Sequence, residues 1–173
     1  RFSRGEVSGA MVLTEADAGS DLGAVGTRAT LDEATGQWHL NGVKRFNTGL
    51  HDATHDVVFA RTSGKAGDAK GITALIVPTD TPGLSVDFMW WTFNMPSDHP
   101  EVTLKDVRVP RSSILHAEDE GLTVAQFFVH ENRIRQAASS LGAAEYCIRE
   151  SVAYAKQRKT WGKPLAVNQA IQF

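Results

Sequence analysis

The sequence predicts an α+β fold, with an antiparallel β-barrel-like domain over residues 1–113 and the first helices of an incomplete C-terminal helical bundle over residues 114–173. In the first region, short apolar segments alternate with turn residues, which is the pattern of antiparallel strands. From Gly121 to about Gln157 the chain has no proline and repeats apolar residues at steps of three and four. That period is typical of an amphipathic helix, so the two regions differ in their predicted secondary structure.

Three segments carry the strand pattern most clearly. Trp38 and Leu40 alternate with polar residues, as in a half-buried strand, whereas residues 57–60 and 72–77 are continuous apolar runs of strand length. Residues 63–71 are rich in glycine, lysine and aspartate. They predict a solvated loop between the two runs.

Two tight turns and one irregular strand are also predicted. Residues 34–36 and the pair Asn41-Gly42 have the composition of turns between strands. Further along, the apolar residues at 102 and 104 are out of phase with those at 107 and 109. Because alternate side chains of a strand lie on opposite faces, this change of phase predicts a bulge or turn near Lys105-Asp106.

The helical region is predicted as one long helix, or as two helices with a break at Gly142. Gly162 and Pro164 are expected to end it, and a further helix is expected to begin at Val167. The apolar stripe of the long helix is formed by Ile134, Ala137, Ala138, Leu141, Ala144, Ile148, Val152 and Ala155.

Composition and charge exclude several classes of protein. The formal net charge is −2 and the basic residues are scattered, so no nucleic-acid partner is expected. No apolar run approaches the ~18 residues of a membrane span. Cys147 is the single cysteine, and His51 and His55 have no third ligand, so neither a disulfide nor a metal site is predicted. Since the chain starts without Met and ends at Phe173 in an apparent helix, we expect a longer parent protein.

Residues 14–21 are the first candidate for chemistry. They combine small residues and hydroxyl groups after an apolar strand, which lets backbone N–H groups approach a planar ring or a phosphate closely. The alternative interpretation is a polar turn capped by Ser20 or Asp21.

Two further segments have the same ambiguity. Residues 41–49 place Phe46 two positions before Thr48 on one face of a strand, which suits the aromatic wall and hydrogen-bond partner that a flavin needs. The alternative is a hairpin with Phe46 in the core.

Residues 157–164, with Asn168-Gln169 beyond, suit phosphate and adenosine recognition. The alternative is a basic helix C-terminus that complements the helix dipole.

Taken together, these segments resemble the acyl-CoA dehydrogenase family from about Met11 to Phe173. Each motif alone is common, but their joint order and spacing are specific. The motifs are Thr14-Glu15 with Gly19-Ser20-Asp21, Leu40-Asn41-Gly42-x-Lys44-x-Phe46-x-Thr48, Gly71 to Pro78, Thr81-Pro82-Gly83, Ser97-Asp98, Asp106 to Pro110, Arg133-Ile134, Leu141 to Glu145, and Arg158 to Pro164.

The resemblance implies a bound FAD. Leu13 and Thr14 would bond the pyrimidine side of the flavin, Phe46 would stand beside the ring, and Thr48 would donate to flavin N5. Ser20 would face the pyrophosphate. The residues implied in cofactor binding are Leu13, Thr14, Gly19, Ser20, Phe46, Asn47, Thr48, Arg158, Thr160 and Gln169, of which the last three would reach the FAD of a neighbouring subunit.

The resemblance also implies an oxidoreductase that dehydrogenates the α and β carbons of an acyl-CoA thioester, with hydride transfer to flavin N5. Ser20 and Arg133 would contact the acyl-CoA. No catalytic residue is expected in this chain, because the usual carboxylate base of the family lies beyond Phe173. The chain alone is therefore expected to be inactive. His130 and Asn132 stand where some members carry a carboxylate.

Other interpretations keep the fold and change the chemistry. They are an acyl-CoA oxidase, a nitroalkane-oxidase-like flavoenzyme, and a non-catalytic or DNA-associated member of the superfamily. The main interpretation implies a homotetramer or homodimer that passes electrons to electron-transfer flavoprotein or a similar acceptor. Its expected location is intracellular, in the bacterial cytoplasm or in a mitochondrion or peroxisome.

Overall fold

The computed structural model describes residues 1–92 and 98–173, which fall into two compact units, 1–126 and 127–173. The helices are α1 (Gly121–Gln157) and α2 (Gln169–Gln172). The strands are β1 (Gly9–Val12), β2 (Arg28–Asp32), β3 (Gln37–Lys44), β4 (His55–Arg61), β5 (Ile72–Pro78), β6 (Leu84–Met89), β7 (Pro100–Pro110), β8 (Lys159–Thr160) and β9 (Lys163–Pro164). The predicted α+β class is confirmed.

The first unit is built on one curled sheet of seven strands in the order β1-β4-β2-β3-β7-β6, with β5 paired to β4. The sheet is mixed. The pairs β2–β3, β3–β7, β6–β7 and β4–β5 are antiparallel, whereas β1 runs parallel to β4. β1 pairs with residues 55–58 of β4, and β2 pairs with the same strand only at Arg61. One edge of β4 therefore pairs with two strands.

Apolar side chains cover both faces of β4 and β5. Val58 and Leu75 belong to the main core of the sheet. Phe59 and Ala74 belong to a second cluster, where Ala125 from the first turns of α1 also packs. The continuous apolar runs that predicted these strands follow from this arrangement, because a strand covered on both sides needs apolar residues at consecutive positions.

Asn41-Gly42 does not form the predicted turn, so that prediction is wrong. The pair lies inside β3, where the register with β7 shifts between Leu40 and Gly42. A Cβ at Gly42 would lie 2.2 Å from Thr27 Oγ1. The glycine therefore permits a close approach of two chain segments. The predicted turn at residues 34–36 is confirmed, since Gly36 has a φ of 68° and joins β2 to β3.

The predicted irregularity near Lys105-Asp106 is confirmed as a bulge in β7. Asp106 has a φ of 52°, and the pairing jumps from Leu40 with Val107 to Gly42 with Leu104. The extra residue restores the phase of the strand, so its apolar side chains are buried on both sides of the bulge. These side chains are Val102, Leu104, Val107 and Val109.

The helical region begins against the sheet and continues without a break. A Cβ at Gly121 would lie 2.8 Å from the carbonyl oxygen of Ile72, so the first residue of α1 touches the backbone of β5. The helix then passes through Gly142 and ends at Gln157, before the predicted stop at Gly162. Of the predicted apolar stripe, Ala155 is buried, and the residues from Ile134 to Val152 are exposed.

Candidate functional site

The structure brings two of the predicted segments into contact. The backbone N–H of Arg45 donates to the carbonyl of Thr14 over 2.9 Å. The ammonium of Lys44 donates to the carbonyl of Leu13 over 3.3 Å. Both carbonyl groups thus accept a bond from the 44–45 side. Within the first segment, the N–H groups of Glu15 and Ala18 each donate to the other's carbonyl, so these two are also occupied.

A buried ion pair holds these two segments together. Lys44 is 0% exposed, and its Nζ lies 2.7 Å from Glu15 Oε1. Glu15 also accepts from the backbone N–H groups of Gly26, at 2.8 Å, and Thr27, at 3.1 Å. Burial lowers the pKa of Lys44, against the attraction of Glu15. Burial raises the pKa of Glu15, but Lys44 and the hydrogen bonds outweigh it, so the pKa is lowered overall.

A second buried polar pair lies beside the first. Asn47 donates from Nδ2 to Asp56 Oδ2 over 2.7 Å, and both residues are 0% exposed. Among the described residues, Asn47 Oδ1 and Asp56 Oδ1 have no hydrogen-bond partner. Burial raises the pKa of Asp56 to about 6, because the bond from Asn47 and the attraction of Lys44 offset only part of the desolvation.

Phe46 is not a core residue. Its ring is 44% exposed, and its φ of 57° places the backbone in the left-handed region, which is uncommon for a bulky side chain. The ring packs on Trp90 with centroids 5.5 Å apart, and Trp90 in turn meets Phe88 edge-on at 5.0 Å. The guanidinium of Arg45 lies 5.4 Å from the centre of the Trp90 ring. The hairpin of β6 and β7 therefore supports an aromatic face.

Thr48 is exposed. The prediction that Phe46 and Thr48 lie on one face of a strand is wrong, because β3 ends at Lys44 and both residues lie in the connection that follows it. Thr48 Oγ1 lies 2.9 Å from Nδ1 of His99. Two backbone bonds hold the same turn, from Asn47 N–H to the carbonyl of Pro100 and from Gly49 N–H to the carbonyl of Asp98. The hydroxyl is therefore presented on a turn fixed at both ends.

The remaining residues of the first segment form an open loop. Gly19 and Ser20 are exposed, and nothing lies within 4 Å of the place where a Cβ of Gly19 would stand. Asp21 caps the short 3-10 helix that follows, since its side chain accepts from the N–H of Gly23 over 3.0 Å. The capped turn is thus present beside the open loop, and the two interpretations of this segment are compatible.

The second unit holds the other four predicted residues. Arg133 lies on α1, exposed, and Arg158 directly follows the end of this helix, its N–H bonded to the carbonyl of Tyr154 over 2.8 Å. At ~1.5 Å per residue, Arg133 and Arg158 are about 37 Å apart along the axis of α1. No single small ligand in this unit could touch both.

Arg158, Thr160 and Gln169 lie in one compact terminal segment. Thr160 is in β8, which pairs with β9 through a two-residue turn in which Trp161 and Gly162 have φ values of 50° and 79°. Positive φ at both central residues is the pattern of a tight hairpin turn. The N–H of Leu165 donates to the carbonyl of Arg158, which folds the chain back toward α2, where Gln169 is the first residue.

The sequence interpretation missed five residues of the site. Glu15, Lys44, Asp56, Trp90 and His99 were not predicted as parts of it. Glu15 and Lys44 belong to the quoted motifs, and a lysine within a strand pattern is a signal for a buried partner. Nothing local marks the others. Ser97 of the predicted Ser97-Asp98 motif lies outside the described residues.

Comparison with known families identifies the chain. Residues 10–107 match the model of the acyl-CoA dehydrogenase middle domain, and residues 119–173 match that of the C-terminal domain. The chain belongs to the acyl-CoA dehydrogenase family. The resemblance predicted from the motifs is confirmed.

Individual relatives agree with this family assignment. Acryloyl-CoA reductase (NADH) of Anaerotignum propionicum is 40% identical over 100% of this chain and 44% of its own length. The structure of butyryl-CoA dehydrogenase from Megasphaera elsdenii matches with a TM-score of 0.79 and 38% identity, over 98% of this chain and 44% of that one. A glutaryl-CoA dehydrogenase from Mycobacterium smegmatis, in complex with FADH2, matches with a TM-score of 0.79 and 31% identity, over 99% and 42%. The chain thus spans less than half of these relatives.

The residue chemistry of the first unit fits a flavin of the acyl-CoA dehydrogenase type. The unit offers an exposed aromatic ring at Phe46, an exposed hydroxyl at Thr48, and an open loop at Gly19-Ser20.

Across the described ranges, no group of three or more His, Cys, Asp or Glu is placed to hold a metal ion. Nor does any helix there have the length and apolar character to cross a membrane.

Proposed function

We propose that the whole protein is an FAD-dependent acyl-CoA dehydrogenase, which removes hydrogen from the α and β carbons of an acyl-CoA thioester. The observation that carries the proposal is the contact between residues 13–15 and 44–48. It joins the two segments predicted to face the flavin and leaves Phe46 and Thr48 exposed at their junction. Bound FAD would supply the two-electron acceptor.

The residues of this chain would bind and orient the reactants. Thr48 would offer its hydroxyl to flavin N5, and Phe46, held by Trp90, would stand beside the ring. The loop at Gly19-Ser20 would receive the pyrophosphate and part of the acyl-CoA. Arg133 would meet the CoA moiety. The carboxylate that takes the α-proton is expected outside these residues, because no candidate in the chain matches the position of the family's base.

Relatives that act as reductases favour a second direction for the same site. The 40% identical protein of Anaerotignum propionicum is an acryloyl-CoA reductase. In that direction the flavin would deliver hydride to an α,β-unsaturated acyl-CoA, and the binding residues would keep their roles. Electron-transfer flavoprotein or a similar carrier is the proposed redox partner, and the proposed location is intracellular.

The whole protein is expected to purify with FAD and to show a flavin absorbance spectrum. Under anaerobic conditions, a panel of saturated acyl-CoA thioesters should bleach the flavin, because the substrate transfers hydride to it. Reoxidation by an unsaturated acyl-CoA would assign the reductive direction, and rapid reoxidation by O2 would point to an oxidase. Folded, colourless protein that takes up no added FAD would refute the cofactor proposal.

Arg158 is proposed to complete the FAD site of a neighbouring subunit in a homodimer or homotetramer. Arg158→Ala should then weaken FAD binding and loosen the oligomer, since a ligand that touches two chains favours their association. Arg158→Lys should restore only part of the affinity, because an ammonium lacks the guanidinium fork. FAD dissociation and oligomer mass measure both effects.

Arg149→Ala provides the matched control for this experiment. Arg149 is exposed on α1 and lies over Tyr146. If Arg158 only complements the helix dipole, its loss would cost about 0.3–1 kcal/mol of stability and leave FAD affinity equal to that of the control. That result would remove Arg158 from the shared site.

A further inference from the structure

A histidine contacts the hydroxyl that is proposed to face the flavin. The Oγ1 of Thr48 lies 2.9 Å from Nδ1 of His99, within hydrogen-bond distance. His99 directly precedes β7, and its carbonyl accepts from the N–H of Trp90 over 3.0 Å. The backbone of His99 is therefore anchored to the same hairpin that supports Phe46.

The backbone makes this contact a fixed feature of the turn. The residues on either side of Thr48 donate their N–H groups to the residues on either side of His99, from Asn47 to Pro100 over 3.1 Å and from Gly49 to Asp98 over 3.0 Å. Thr48 and His99 thus lie opposite each other in a short paired segment. Rotation of one side chain alone does not separate the two chain segments.

We propose that His99 is a positioning residue that sets the direction of the Thr48 hydroxyl proton. The inference rests on the proposed function, in which Thr48 faces flavin N5. A threonine hydroxyl has one hydrogen to donate. When Nδ1 of His99 accepts that hydrogen, Thr48 has only lone pairs to offer to a ligand. When Nδ1 carries a proton, it donates to Thr48, and the hydroxyl hydrogen is free to point at an acceptor.

Protonation of His99 therefore has a defined effect on Thr48. An imidazolium is a donor at both nitrogens, so it can only donate to Oγ1 and must release the hydroxyl hydrogen toward the ligand side. Histidine is the side chain that changes charge between pH 5 and 8. The charged groups on the segments around the imidazole are Asp98, Arg45 and Glu101, and the last two pair with each other over 2.9 Å. N5 of an oxidised flavin is an acceptor, so acidification should strengthen its bond from Thr48.

The first test needs no flavin. In the whole protein labelled with ¹⁵N-histidine, the imidazole signals are recorded by NMR, and the signal lost in His99→Asn identifies His99. Thr48→Val removes the hydrogen-bond partner of Nδ1, so the Nδ1 signal of His99 should shift. Thr54→Val is the matched control, because Thr54 Oγ1 lies 2.9 Å from Nδ1 of His55. It should shift the His55 signal and leave that of His99 unchanged.

The second test uses the FAD-loaded protein. The visible flavin band and the FAD dissociation constant are followed from pH 5 to 8 in wild type, His99→Asn and Thr48→Val. Asparagine still reaches Thr48 with a polar atom but does not change charge with pH. His99→Asn should therefore keep FAD bound and lose the change in the flavin band and in FAD affinity between pH 5 and 8. Thr48→Val should lose the same change.

Three results decide the matter. An unchanged His99 Nδ1 signal in Thr48→Val would overturn the inference, and so would a wild-type pH profile in His99→Asn. Protein that takes up no FAD would refute the proposed function, while the Nδ1 signal would still decide whether His99 contacts Thr48.

Discussion

Replacement of Lys44 by methionine is expected to destabilise the whole protein by about 3 kcal/mol. Methionine fills the space of the lysine stem but leaves the Glu15 carboxylate without its ammonium partner at 2.7 Å. It also removes the bond to the carbonyl of Leu13. Removal of one member of a buried pair costs more than the pair itself contributes, because the remaining charge stays desolvated. Chemical denaturation at pH 7 measures the loss.

Two further variants show whether the ion pair is the cause. Lys105→Met changes an exposed lysine of β7 and should alter stability by less than about 0.5 kcal/mol. Adding Glu15→Gln to Lys44→Met should recover part of the loss, because the amide carries no charge and its oxygen can still accept from Gly26 and Thr27. Equal losses in the single and double variants would refute an electrostatic origin.

Asp56→Asn is expected to stabilise the protein at pH 8 by about 2–3 kcal/mol. The pKa of Asp56 is raised from 3.8 to about 6 by burial, so the folded state favours the protonated carboxyl. The stability that this group contributes is present below pH ~4 and is lost as the pH rises through 6. Asparagine removes the buried charge and keeps an oxygen for Nδ2 of Asn47.

The gain in stability should therefore disappear as the pH is lowered from 8 to 4, because wild-type Asp56 is protonated at pH 4. Denaturation at several pH values checks this dependence. Asp87→Asn is the control, since hydrogen bonds from Thr103 and Ser85 lower the pKa of this exposed carboxyl. It should not stabilise the protein at pH 8. A loss of stability in Asp56→Asn at pH 8 would contradict the argument and mark the Asp56 charge as stabilising.

These two effects act in opposite directions as the pH falls. The lowered pKa of Glu15 means that its stabilising contribution is present near neutral pH and is lost in acid, whereas protonation relieves the burial of Asp56. Both groups interact with the charge of Lys44. Glu15 and Asp56 therefore make opposite contributions to the pH dependence of stability.

Local sequence was sufficient to predict part of the candidate site. Thr14, Phe46 and Thr48 could be selected because they lie in short motifs whose order along the chain is specific. The bulge at Lys105-Asp106 was predicted for a similar reason, since a change of phase is visible within one strand. Asn41-Gly42 misled the interpretation, because the same dipeptide also serves where another segment approaches closely, as Thr27 does.

The amino-acid sequence by itself determined the α+β class, the family and the two segments that meet at the candidate site. Only the tertiary structure decided which side chains support them. Lys44 and Glu15 are 29 positions apart, and Thr48 and His99 are 51 apart. Thr48 and His99 flank the pairing of β3 with β7, whereas Lys44 and Glu15 join β3 to the loop after β1, so both pairs depend on segments that are distant in sequence. Strand register depends on the burial of whole faces of the sheet, so no local pattern around Asp56, Trp90 or His99 could specify their partners.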